Sequence, residues 1–175
     1  ADAEASLFEA YELCRICFEQ DGMLFVCGNG GSMADAIHVS TELNKAFKHN
    51  RPLLPEHMER IGRLKHGEEL AQHLQRGLRT MVLGMNPAVS SAIDNDFMAA
   101  RLTLAQELYV FARPGDVLLA ISTSGNARNV GYAISVARLL GMPVIGLTGK
   151  TPSVLREEAD VLIEAPSSVT PEIQE

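Results

Sequence analysis

His38 and Glu42 stand four residues apart, a spacing that sends both side chains off one face of a helix. An imidazole and a carboxylate so placed can share a metal ion or work as an acid/base pair. Leading into them, a short apolar run, Leu24 to Cys27, stops at Gly28 and Gly30-Gly31 and restarts as a helical pattern. Glycines at such a turn let the backbone take positive φ and bring bare N–H groups close to a ligand, and Ser32 stands as N-cap with Asp35 three residues on. A helix N-terminus of this kind accepts an anion, with His38 and Glu42 expected about a turn away. A second turn, Ile121 to Asn126, offers the hydroxyls of Ser122, Thr123 and Ser124 beside free N–H groups. That set can hold phosphate without a cation, because the helix dipole supplies the field.

Both features have plainer readings. Asp35, His38, Glu42 and Lys45 form a polar stripe opposite Ala36, Val39, Leu43 and Phe47, as on a solvated helix face. A Ser/Thr-rich turn can also cap a helix without binding anything. Two nucleotide signatures fail: Met33 stands where the last glycine of GxGxxG belongs, and Val144 takes the first glycine position of a P-loop ending Gly149-Lys150-Thr151. Cys14 and Cys17 spell C-x-x-C, but they share an amphipathic pattern with Leu7, Tyr11, Leu13 and Phe18, which makes them packing residues. His57, His66 and His73 lack matched ligand spacing and are expected at the surface.

The elements that must position these residues alternate. A helix over residues 5–19 ends at Asp21-Gly22. Strands are expected near 23–27, 81–85, 117–121, 144–147 and 161–163. A charged helical insertion lies between Pro55 and Thr80, the stretch Ser90 to Phe97 leads into a helix ending near Arg113-Pro114-Gly115, and Thr151 caps a short helix with Pro152 at its first position. The fold class is therefore α/β, a doubly wound parallel sheet of about five strands flanked by helices, in a single domain over 1–175. Ligands of such sheets bind beyond the carboxyl ends of the strands, a rule that gathers 28–32, 94–96 and 122–126 along one edge.

Composition narrows the function. At 175 residues and 46% hydrophobic the chain can bury a core without covalent staples. A net charge of −7 leaves no cationic excess for a nucleic-acid backbone. Three cysteines read as reduced thiols, and with no leader or long apolar span the expected location is the cytoplasm, with no membrane partner.

The blocks Cys27–Ser32, Ile37-His38 with Glu42-Leu43, Asn95–Phe97, Asp116–Leu119, Ile121–Asn126, Leu147–Lys150 and Ile173–Glu175, in that order, resemble the sugar isomerase (SIS) domain family. Within it they are similar to the sedoheptulose 7-phosphate (phosphoheptose) isomerase branch. The resemblance implies ketose/aldose isomerisation of a sugar phosphate in carbohydrate metabolism, by a homotetramer with sites near subunit boundaries. It assigns substrate binding to Asn29, Gly30, Gly31, Ser32, Asn95, Asp96, Ser122, Thr123, Ser124 and Gln174, the catalytic base to Glu42, and zinc to His38, Glu42 and Gln174. The family's fourth zinc ligand, a histidine about two turns after the glutamine, would fall beyond Glu175, so the C-terminal helix is expected to be missing. Other departures are Ala127 in place of a serine, Glu172 in place of a basic residue, the 55–80 insertion, and a chain that starts late and stops early. The alternative is a non-catalytic SIS domain that binds a sugar phosphate as a regulator or replication-initiator adaptor. A plainer option is a structural subunit whose insertion mediates assembly.

Overall fold

Apolar residues that alternate faces along each strand build a sheet covered on both sides. The computed structural model describes residues 3–97 and 101–174. In chain order these form α1 (Ala3–Glu19), β1 (Leu24–Cys27), α2 (Gly31–Asn44), α3 (Pro55–Ile61), α4 (Gly67–His73), β2 (Thr80–Val82), α5 (Pro87–Asp96), α6 (Thr103–Phe111), β3 (Val117–Ser122), α7 (Arg128–Leu139), β4 (Val144–Thr148), α8 (Val154–Glu158), β5 (Val161–Glu164) and α9 (Thr170–Gln174). The five strands are parallel in the order β2-β1-β3-β4-β5, with Leu24 opposite Thr80 on one side and Val117 on the other.

Phe25 and Cys27 of β1, with Leu118 and Ala120 of β3, face a layer made by Leu104 and Leu108 of α6, Val130, Ala133 and Ile134 of α7, and Leu155 of α8. Their neighbours Leu24, Val26, Val117 and Ile121 face the opposite layer, made by Ala10 and Cys17 of α1 and Ala36 of α2. Each large apolar side chain so buried contributes roughly 1.5–3 kcal/mol, which holds the sheet while Cys14, Cys17 and Cys27 stay free. The C-x-x-C pair is packing material: Cys17 is buried in the core and Cys14 packs against it. Burial pushes the Cys17 thiol up to about 11, with a smaller contribution from Asp116.

The chain leaves β1 for one layer and β3 for the other. Between these two neighbours lies the topological switch point, the crevice where sheets of this order bind ligands. Among the described residues no helix is long and apolar enough to cross a membrane.

Several local expectations change. The insertion is two short helices, α3 and α4, followed by an extended run into β2. It is anchored at its base by Arg51, whose guanidinium donates to the Leu43 and Arg76 carbonyls. The stretch from Ser90, expected to lead into a helix, mostly belongs to one: α5 begins at Pro87 because the Asn86 side chain accepts from the Ala88 and Val89 N–H groups. It ends at Asp96, and the helix it leads into is α6, which stops at Phe111 just before the expected Arg113-Pro114-Gly115 break; residues 98–100, between the two, lie outside the described ones. Thr151 is not a cap, since α8 starts at Val154 with Ser153 Oγ accepting from the Arg156 N–H. On α1, Cys14 and Phe18 pack on the sheet, whereas Leu7 and Tyr11 are exposed.

Candidate functional site

The first turn, Gly28 to Gly31, joins β1 to α2. Gly30 has φ 55° and is the N-cap of α2, with no side-chain cap. Ser32 is therefore not the cap: the helix starts two residues earlier because the positive φ of Gly30 ends the loop, and Ser32 is buried in the first helical turn. A methyl at Gly28 would meet the Ser32 carbonyl oxygen at 2.5 Å. The turn thus presents backbone N–H groups and little else, a concave anion cradle at a helix N-terminus. Cys27, beneath it, is not a nucleophile, since full burial pushes its thiol up to about 12.

The second turn, Ser122 to Asn126, joins β3 to α7 and braces itself with its own side chains. Ser122 Oγ accepts from the Gly125 N–H at 3.2 Å, and Ser124 Oγ accepts from the Asn126 N–H at 3.2 Å. The Asn126 carboxamide donates to the carbonyls of Ser124 and Pro152 and accepts from the Val154 N–H. Gly125, at φ 64°, lies so close to the β4 end that a methyl there would meet Ser153 Oγ at 2.2 Å and Thr148 Oγ1 at 3.0 Å. The hydroxyls are unequal: Ser122 is buried, Thr123 half-buried and Ser124 exposed.

The turn after β4 completes the rim. The Gly149 N–H donates to the Thr123 carbonyl and the Lys150 N–H to the Ser167 carbonyl. The Lys150 turn is thereby tied to the C-terminal segment instead of opening a phosphate-binding helix, in keeping with the failed P-loop pattern. On α9, Ile173 covers Gly149, and the Gln174 carboxamide lies against Gly31, where a methyl would come within 2.2 Å of its Nε2.

The structure thus gathers Asn29, Gly30, Gly31, Ser32, Ser122, Thr123, Ser124 and Gln174 at the carboxyl ends of β1, β3 and β4. Asn95 and Asp96 make no hydrogen bond to these turns among the described residues. They sit on the last turn of α5, exposed, with the Asn95 amide donating to Asp96 Oδ1 at 3.0 Å. That is about 14 Å along the helix from the turn after β2.

His38 and Glu42 do share one face of α2, with Nε2 and Oε1 3.7 Å apart. The expectation that they lie a turn from the anion cradle is wrong, because helical rise puts them about 10 and 16 Å beyond Gly31. Their separation fits two positions in the coordination shell of one divalent ion. Gln174, against Gly31, is not placed with them, and among the described residues no three His, Cys, Asp or Glu side chains cluster as a metal site. A residue that sequence reasoning missed is Asn129, in the first turn of α7. Its carboxamide and that of Asn29 exchange two hydrogen bonds, 2.9 and 2.8 Å, across the switch point. Only knowledge that β1 and β3 are neighbours could have singled it out.

A family profile for the SIS domain matches residues 1–149. Over 174 residues the chain is 34% identical to phosphoheptose isomerase from Rhodospirillum rubrum, covering 99% of this chain and 79% of that one. Its fold is similar to the structure of phosphoheptose isomerase from Neisseria gonorrhoeae, with a TM-score of 0.76 at 30% identity over 99% of this chain and 81% of that one. The corresponding enzyme from Francisella tularensis gives 0.78 at 26% identity, covering 97% and 78%.

Proposed function

Because this chain belongs to the SIS domain family, in its phosphoheptose isomerase branch, we propose that it is a ketose/aldose isomerase acting on sedoheptulose 7-phosphate. The observation that carries the reading is the pair of anion-holding turns on either side of the β1/β3 switch point. The glycine turn offers N–H groups and the hydroxyl turn offers Ser122, Thr123 and Ser124, and together they suit a phosphate dianion without a cation. Binding energy from the phosphate then orients a sugar that reacts at its far end.

The barrier to the reaction is the weak acidity of C1 beside the C2 carbonyl. A carboxylate takes that proton, leaving an enediolate with its charge on the C2 oxygen; the C1 hydroxyl proton passes to that oxygen, and return of the abstracted proton to C2 gives the aldose. Glu42 is the base in this proposal. His38 and Glu42 would hold a zinc ion, with Gln174 assigned as a further ligand by family resemblance, and a bound zinc would polarise the substrate carbonyl. Helical rise separates Glu42 from Gly31 by about 16 Å, three turns. In this proposal a sugar held by one copy's turns meets the Glu42 of another, in a homo-oligomer with sites at subunit boundaries. The three free thiols suit a cytoplasmic location.

The test is a coupled assay with sedoheptulose 7-phosphate, with and without chelator. Turnover that chelator abolishes and zinc restores is expected. Tight binding of the sugar phosphate with no turnover under any metal would instead favour a sugar-phosphate-binding regulator. One observation points that way: Ala127, the N-cap of α7, contributes no side-chain hydrogen bond to the second turn. For the shared site, mixing and reassembling inactive Glu42→Gln and Ser122→Ala proteins should recover up to about a quarter of wild-type activity, as symmetric assembly predicts. Failure to recover any activity from confirmed mixed oligomers would place the whole site within one copy.

A further inference from the structure

Two carboxamides that each donate to and accept from the other form a flat ring whose geometry tolerates little displacement. Asn29 and Asn129 make such a ring, and the groups it joins are the two turns of the switch point. The two turns need this tie unequally. The hydroxyl turn carries its own bracing through Ser122, Ser124 and Asn126. The glycine turn has no side-chain cap and contains Gly30 at positive φ, so its path is weakly specified from within. Its side-chain hydrogen bonds to the rest of the fold, among the described residues, are the two to Asn129.

We propose that Asn129 is a positioning residue that holds the glycine turn, through its reciprocal amide pair with Asn29, at the separation from the hydroxyl turn at which both grip one phosphate. Asn29 then serves substrate with its backbone, its side chain being engaged with Asn129. This inference rests on the sugar-phosphate reading for its kinetic consequence but not for its structural one.

The test uses the full chain with Asn29→Ala, Asn129→Ala and the double substitution. Loss of either partner removes the same two hydrogen bonds, so KM for sedoheptulose 7-phosphate should rise about tenfold while kcat changes by less than about threefold. The double variant should be no worse than Asn29→Ala alone, because residues that act as one unit are not additive. Asn129→Ser, which is polar but too short to make the ring, should reproduce the Asn129→Ala result. Amide hydrogen exchange should accelerate at 28–33 in each variant and stay unchanged at 122–127. An unchanged KM in an active Asn129→Ala protein, or additive losses in the double variant, overturns the proposal. If the wild-type chain turns over no sugar phosphate, the isomerase reading fails, and exchange alone decides the clamp: acceleration at 28–33 supports it and unaltered exchange removes it.

Discussion

The turns after β1 and β3 face each other across one crevice and solve the same electrostatic problem with opposite means. The first is nearly bare backbone, shaped by Gly28, Gly30 and Gly31 and steadied from outside by Asn129 and the packing of Gln174. The second is dense with side chains that bind their own backbone, and it is wedged against Ser153 and Thr148. A turn held from outside can be retuned by changing its supports. One that holds itself ties ligand binding to stability.

The largest effect that sharpens this contrast comes from neither turn. Glu42→Gln should lower kcat by about 10²–10⁴-fold while calorimetric affinity for sedoheptulose 7-phosphate stays near wild type. Near-normal turnover would move the chemistry off α2. Next, Gly125→Ala should cost about 2–4 kcal/mol, from a left-handed φ and a methyl driven into Ser153. Thermal unfolding should then fall by roughly 5–15 °C. The matching change in the bare turn, Gly31→Ala, meets first the flexible end of Gln174. It should leave the melting temperature within about 2 °C and reduce kcat/KM about tenfold by displacing that carboxamide. Equal stability losses for the two glycines would erase the distinction drawn here.

The smallest effect is a control far from both turns. At the opposite end of the sheet Asp160 is held below its ordinary value of 3.8: burial raises it, but the Arg138 guanidinium and the Val144 N–H outweigh burial. Its contribution to stability is present above pH 3.8 and is lost as pH falls through the lower folded value. Acid titrations of wild type and Asp160→Asn should therefore differ slightly above pH 3.8 and converge only as pH falls through the lower folded value.

Strand positions and parallel order were legible because the runs at Leu24, Val117 and Val144 are short, apolar and bounded by glycine or proline. Helix starts were less so. Ser153 caps where Thr151 looked equally suitable, since either hydroxyl can accept from a helix N–H and tertiary packing selects one. The two turns were legible as local patterns of glycine and hydroxyl. The Asn29–Asn129 pair was not, because nothing local marks residues a hundred positions apart as neighbours. The distance from Gly31 to Glu42 followed from helical rise alone, yet a shared element had suggested a shared pocket.

The pairing of β1 with β3 also dictates an order of assembly during synthesis. The Met23 N–H at the start of β1 is held by Asp116, 93 residues downstream, and a ribosome adding about 5–20 residues per second needs roughly 5–20 s to deliver that segment. Through that interval β1 presents an unpaired edge to other nascent chains. Conditions that slow translation before Val117 should therefore favour aggregation of this protein, even where its finished fold is stable.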